Sequence, residues 1–165
     1  TLIKEIEQKI IFIADSGREH EVVTRFSRVG YDFILGYLKG GLQAWKDAGY
    51  KVDSVKTISA SEFEEINRND SNVSILDIRK ESEFGSEHLL GAINFPLENI
   101  HTNFSEIDPD KKYFLHCATG YRSLVAASIF RANGITQVTD IAGGFKAIKE
   151  TNLERTDYVC PTNLI

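Results

Sequence analysis

The chain has 165 residues, of which 42% are hydrophobic and 26% charged, with a formal net charge of −5 at neutral pH. These values suit one medium soluble domain, or one domain plus a fragment. With a pI near 5.4 they argue against nucleic acid or an anionic membrane surface as partner, and no apolar run approaches the roughly 20 residues that span a bilayer.

The elements follow in chain order. Residues 2–9 predict a short helix with Leu2, Ile3 and Ile6 on one side. Ile10 to Ala14 is a short continuous apolar run and predicts a fully buried strand. Asp15-Ser16-Gly17-Arg18 makes a turn. Glu19 to Val29 predicts an amphipathic helix presenting Val22, Val23, Phe26 and Val29, closed by Gly30. Phe33 to Leu38 is a further strand, and Gly40-Gly41 leads into a short helix with Leu42, Ala44 and Trp45.

Residues 51–56 are polar and predict a linker, which sets two domains at 1–52 and 53–165. After a brief strand at Thr57, Ser59 or Ser61 caps a helix running to Asn67. Val73 to Asp77 is a buried strand, Ser82 to Glu87 a helical turn, and Ala92 to Phe95 a strand stopped by Pro96. Gln137 to Ile141 is the last strand. Gly143-Gly144 opens a final helix to about Thr151, and the tail from Asn152 has little periodicity. Strands alternating with short helices predict an α/β fold around a mainly parallel sheet, with ligands at the carboxyl ends of its strands.

The stretch Tyr113 to Ser123 carries the chemistry. Tyr113, Phe114 and Leu115 end a strand, and Leu124 to Phe130 supply the apolar side of a helix. Cys117 lies in the turn between them. Its sulfur faces helix-start amides that no intrahelical carbonyl satisfies, at the positive end of the helix dipole. Such a thiol ionises at roughly pH 3.5–7.5 rather than about 8.5. The expectation is an exposed thiolate encircled by main-chain N–H groups, with Arg122 closing the ring.

The first part of the chain repeats the last. Residues 11–49 align with 113–152, setting Phe12 on Phe114, Arg18 on Arg122, Gly30 on Gly134 and Gly40-Gly41 on Gly143-Gly144. Asp15 falls on Cys117, and the interval to the arginine shrinks from four residues to two. The first copy is thus read as the degenerate, inactive back half of the same fold, with an apolar face and a strand edge uncovered. That makes the chain the expected carboxyl-terminal piece of a longer polypeptide.

From about Val55 to Thr151 the second copy resembles a rhodanese (sulfurtransferase) domain. The matching features are Leu76-Asp77-Ile78-Arg79, Glu83-Phe84, His88 to Pro96, Cys117-Ala-Thr-Gly-Tyr-Arg122 and Gly143-Gly144, in that order. The resemblance implies a rhodanese-like fold and sulfane-sulfur transfer. Cys117 would take sulfur from thiosulfate, a mercapto acid or a low-molecular-weight persulfide. A persulfide at Cys117 would then pass it to cyanide, a thiol or sulfite. In that family the catalytic pair is Cys117 and Arg122, while Ala118, Thr119, Gly120 and Tyr121 bind substrate largely through backbone amides. Arg122 orients the loop or meets the anionic donor.

Two rival readings stand beside it. Cysteine phosphatases and arsenate reductase relatives of similar fold carry five residues between cysteine and arginine. The four here make a smaller cradle, which favours sulfur over phosphorus. A non-catalytic binding or regulatory module is the other alternative. The tandem order, with Val159-Cys160-Pro161-Thr162 in the tail, resembles the end of fusion proteins whose upstream partner is a metallo-β-lactamase-fold persulfide dioxygenase.

Individual residues also have plainer readings. Asp77 and Arg79 read as structural support, an ion pair or loop brace. His116 points away from Cys117 by strand alternation and reads as a core residue. His88 and Gly91 mark a turn, Asp15 caps the shortened loop, and Cys160 is read as incidental to the chemistry. The four histidines, His20, His88, His101 and His116, have no metal-ligand spacing. No metal and no cofactor are expected in this chain. Two cysteines suggest a reducing, cytoplasmic setting.

Overall fold

The structure, a computed structural model, describes residues 3, 5–70 and 72–160. The chain divides into two compact units, one up to Ser54 and one from Val55 onward.

The first unit contains β1 (Ile10–Phe12), α1 (Glu19–Arg28), β2 (Ile34–Tyr37) and α2 (Gly41–Asp47). The two strands pair in parallel. Phe12, Phe26, Tyr31 and Tyr37 pack ring against ring with centroids 6.0–6.3 Å apart. The strand at Ile10 is not buried on both faces as its composition suggested. Ile10 and Phe12 point inward, whereas Ile11, Ile13 and Leu35 are 70%, 57% and 63% exposed. Phe12 packs on the Phe26 ring of α1, while the alternate side chains of the strand stay largely exposed within this unit. The helix predicted over residues 2–9 does not form at the described positions. The Gln8 N–H donates to the Glu5 carbonyl in a single turn before the strand. So short a segment cannot offset the cost of helix nucleation by itself; Leu2 lies outside the described residues.

Among its described residues the second unit carries β3 (Lys56–Ile58), α3 (Ala60–Asn69), β4 (Ser74–Asp77), α4 (Glu81–Ser86), β5 (Ala92–Asn94), β6 (Tyr113–His116), α5 (Tyr121–Ala132), β7 (Val138–Ile141) and α6 (Gly144–Ile148). Ser59 rather than Ser61 begins α3. Its hydroxyl accepts from the Glu62 N–H while the Glu62 carboxylate accepts from the Ser59 N–H, a reciprocal cap. The final helix is shorter than predicted because the Thr151 hydroxyl and N–H both donate to the Ile148 carbonyl and close it. Two short 3-10 turns, Leu97–Asn99 and Phe104–Glu106, lie between β5 and β6.

The five strands are all parallel, in the order β3-β7-β6-β4-β5. Alternating side chains of each strand feed two cores, one on either face of the sheet. Leu76, Ile78, Leu115 and Cys117 pack with Ala126, Ala127 and Phe130 of α5. Ile75 and Ile141 pack on the other face with Phe63 of α3 and with Phe145 and Ile148 of α6. The chain runs outward from β4 to β5 and then returns to β6 on the other side of β4. The crevice of such an open sheet opens at this reversal, beyond the carboxyl ends of the strands.

The tail is more ordered than its lack of periodicity suggested. Leu89 bridges Arg155 in antiparallel fashion. The N–H groups of Leu90, Thr156 and Val159 donate to the carbonyls of Glu154, His88 and Ser86, and the Ser86 hydroxyl donates to the Val159 carbonyl at 2.6 Å. Backbone pairing of this kind needs no side-chain pattern. Among the described residues no disulfide joins Cys117 and Cys160, and no helix is long and apolar enough to cross a membrane.

Candidate active site at the carboxyl end of strand β6

Cys117 follows β6 directly, and Gly120 caps α5 with φ +108°. That backbone conformation is one a side chain rarely adopts, and it turns the first amides of α5 back toward the sulfur. The Gly120 N–H donates to Cys117 Sγ at 3.2 Å. The Ser123 hydroxyl stands 3.6 Å from Sγ and 3.1 Å from the Gly120 carbonyl oxygen. Burial alone pushes the Cys117 thiol up. Donors from the Ser123 N–H and hydroxyl, then the Thr119 and Gly120 N–H groups, outweigh it, and the thiol lies below its ordinary value. Hydrogen bonds to the charged form have this effect.

The predicted ring of amides is therefore present with an altered membership. Thr119, Gly120 and Ser123 reach the sulfur. Ala118 instead turns its carbonyl to the Lys146 N–H, and Tyr121 projects outward, 76% exposed. The expectation of an exposed thiolate does not hold. Cys117 is 1% exposed, because it sits in the core formed by Leu76, Ile78 and Leu115 of the sheet with Ala126, Ala127 and Phe130 of α5.

Arg122 is held from outside the loop. Its guanidinium forms two hydrogen bonds to the Glu83 carboxylate of α4, at 2.6 and 2.9 Å. Glu83 is the principal influence raising the Arg122 pKa, and Cys117 adds to it. Glu83 is in turn held below the usual carboxylate range, first by Arg122. The arginine thus spans an acid on one side and the thiol on the other. It also lines a 140 Å³ cavity with Ile78, Lys80, Pro96, Leu97 and Glu98.

Beneath the loop, α6 fixes its carbonyls. The Phe145 N–H donates to the Cys117 carbonyl at 2.6 Å and the Lys146 N–H to the Ala118 carbonyl at 3.1 Å. Gly144 makes this approach possible. At φ +58°, a Cβ there would fall 2.3 Å from the Cys117 oxygen and 2.9 Å from two further backbone atoms of the loop.

Asp77 and Arg79 are both buried and form the brace expected of them. Arg79 Nε and Nη2 donate to the Asp77 carboxylate at 2.6–3.0 Å, and Nη2 also donates to the Glu87 carbonyl at 2.8 Å. The guanidinium lies 3.9 Å from the centre of the Phe145 ring, a cation–π arrangement. His116 is fully buried on this side of the sheet, with Nε2 3.8 Å from Asp77. Neither ring nitrogen has a hydrogen-bond partner. His88 stacks on Phe84 at 3.7 Å and bonds the Phe84 carbonyl through Nδ1, a structural contact consistent with a turn marker.

Ser123 and Asp140 were not singled out from the sequence. A hydroxyl directly after Arg122 in the first turn of the helix, and an acid inside the apolar strand Val138–Ile141, were the available signals. Glu83 was visible only as part of a motif. In the first unit Asp15 and Arg18 lie between β1 and α1, and Arg18 is committed to its own helix through Glu21 at 3.0 Å. Among the described residues no group of three or more His, Cys, Asp or Glu could hold a metal ion.

Comparison with known proteins agrees with this architecture. The family model for the rhodanese-like domain matches residues 59–151, more than half of the chain. An uncharacterized Bacillus subtilis protein, YqhL, is 36% identical over 97 residues, covering 59% of this chain and 75% of its own length. The thiosulfate sulfurtransferase PspE of Escherichia coli is 35% identical over 75 residues, covering 44% of this chain and 71% of its own. Against the putative sulfur carrier protein YrkF of Bacillus subtilis, the chain spans only 56% of the relative's length. A rhodanese-like domain protein from Staphylococcus aureus superposes with a TM-score of 0.56 at 27% identity, over 61% of this chain and 97% of that one. With its parallel sheet, its cysteine turn and this match over residues 59–151, the chain belongs to the rhodanese-like domain family.

Proposed function

We propose that this chain is a sulfurtransferase that carries sulfane sulfur on Cys117. The observation that carries the reading is the loop itself. Amides of Thr119, Gly120 and Ser123 lower the Cys117 pKa despite its burial. A thiolate so stabilised attacks without a separate general base. Thiosulfate is the simplest donor. The Cys117 sulfur forms a bond to the terminal sulfur of the donor, the S–S bond of the donor breaks, and sulfite leaves with the electron pair. The Cys117 persulfide then gives its outer sulfur to cyanide, sulfite or a thiol and returns to the thiolate. No net oxidant enters either step.

Burial at 1% exposure favours a donor that presents one unsubstituted sulfur atom, as thiosulfate and low-molecular-weight persulfides do. A phosphoryl centre with three peripheral oxygens is a poor fit for the same reason, and the four-residue loop gives it little room. Arg122, shared between Glu83 and the thiol, supplies positive charge where an anionic donor arrives and sulfite departs. The same burial is also what a binding module with a structural cysteine would show. Intact-mass measurement after thiosulfate or glutathione persulfide separates the two. The transferase gains the mass of one sulfur atom, loses it to cyanide, and does neither as Cys117→Ser. Absence of that gain in the unmodified chain would refute the assignment.

A further inference from the structure

Strand β7 carries a carboxylic acid inside the fold. Asp140 is 2% exposed. The sheet register sets it beside Leu115 of β6 and Thr57 of β3, neither of them charged. From α5 it meets the Ser123 hydroxyl, and beyond that hydroxyl lies Cys117 Sγ. Burial raises its pKa, and the Ser123 hydroxyl lowers it. Oδ1 has no hydrogen-bond partner.

The Ser123 hydroxyl has one proton to give. Three acceptors compete for it: the Gly120 carbonyl at 3.1 Å, the Cys117 sulfur at 3.6 Å and the Asp140 carboxyl whenever that is ionised. An ionised Asp140 would draw the proton away from the sulfur and place a second buried anion one hydroxyl from the thiolate. A neutral Asp140 reverses the relation. Its O–H donates to the Ser123 oxygen and leaves the hydroxyl proton for the loop and the sulfur.

We propose that Asp140 is a positioning residue for Cys117, held as the neutral acid so that Ser123 remains a donor to the sulfur. The polarity of the chain runs from Asp140 to Ser123 to Cys117, and its far end is the group on which the sulfurtransferase reading rests. The geometry itself does not require sulfur transfer.

The test is the pH profile of Cys117 alkylation by iodoacetamide in the whole chain, with Cys160→Ser leaving a single thiol. Asp140→Asn replaces the O–H donor with an amide donor of the same shape, and the thiol pKa should stay where it is. Asp140→Val removes the donor, and Ser123→Ala removes the link. Each should raise the thiol pKa by about one unit, which leaves about tenfold less thiolate at a fixed pH below both values. An Asn variant shifted as far as the Val variant, or a Val variant with an unmoved profile, would overturn the proposal. A second readout needs no variant to fold well. In the unmodified chain labelled with 13C-carboxyl aspartate, Asp140 should give a carboxylic acid signal at neutral pH; a carboxylate signal would overturn the proposal outright. Neither readout depends on turnover. Failure to load sulfur with these profiles intact would sink the transferase reading alone, and loading with a carboxylate at Asp140 would sink this proposal alone.

Discussion

Replacing Gly144 with alanine tests how the loop around Cys117 is held. Two costs arise at this position. The first is conformational, since the residue has φ +58°, and a left-handed backbone costs an L-residue about 1–2 kcal/mol. The second is steric, because the new Cβ would lie 2.3 Å from the Cys117 carbonyl oxygen. The obstruction is backbone on both sides, so helix and loop must separate. That movement breaks or stretches the hydrogen bonds from the Phe145 and Lys146 N–H groups, each worth about 0.5–1.5 kcal/mol. The sum is about 2–5 kcal/mol. Gly134→Ala is the control, because Gly134 has φ +88° and nothing within 4 Å of its would-be Cβ; it carries the conformational cost alone. Urea denaturation of both variants should show Gly144→Ala less stable by about a further 1–3 kcal/mol. Alkylation should show its Cys117 pKa displaced upward, with Gly134→Ala unchanged. If the two variants have the same stability and the same thiol pKa, α6 does not hold the loop, and the account of the glycine pair is wrong.

Three other outcomes follow from the same geometry. Arg79→Leu leaves the fully buried Asp77 without its cation, and a chemical denaturation curve should show a loss of about 3–5 kcal/mol. Glu83→Gln removes the negative charge beside Arg122; the pair is about one-third exposed, so stability should fall by no more than about 1 kcal/mol, while the Cys117 pKa, read by alkylation, should move further down. His116 is pushed below its ordinary pKa, first by burial and against the pull of Asp77, so the folded state resists the proton that the unfolded chain accepts. Stability should therefore be full above about pH 6.5 and fall by up to about 1.4 kcal/mol per unit as the pH drops through that value. His116→Leu should remove that component from denaturation midpoints taken across the range.

Some of this site could be read from residue order and some could not. Cys117 was legible because a thiol between an apolar strand and a glycine turn has amides to face. The α/β alternation was legible because each strand and helix has its own apolar period. Ser123 and Asp140 were not, since their meeting depends on which strand lies beneath α5, and the order β3-β7-β6-β4-β5 is a property of the folded sheet. Burial of Cys117 escaped for a related reason: the side chains that cover it come from α5 and from strands distant in sequence. The glycine pairs show the limit most clearly. Gly40-Gly41 and Gly143-Gly144 look identical in sequence and share positive φ angles of 58–80°. Yet a Cβ on Gly41 would meet only an Ile13 methyl at 3.6 Å. A Cβ on Gly144 would instead meet the Cys117 carbonyl oxygen at 2.3 Å.

The tail that binds the edge of the second unit has a mechanical consequence. Its Val159 grips Ser86, the last residue of α4, and α4 is the helix from which Glu83 reaches Arg122. A pull on the carboxyl-terminal tail is thus transmitted through one short helix to the guanidinium beside the cysteine turn. The segment with least sequence pattern becomes a tether for the cation that Glu83 holds.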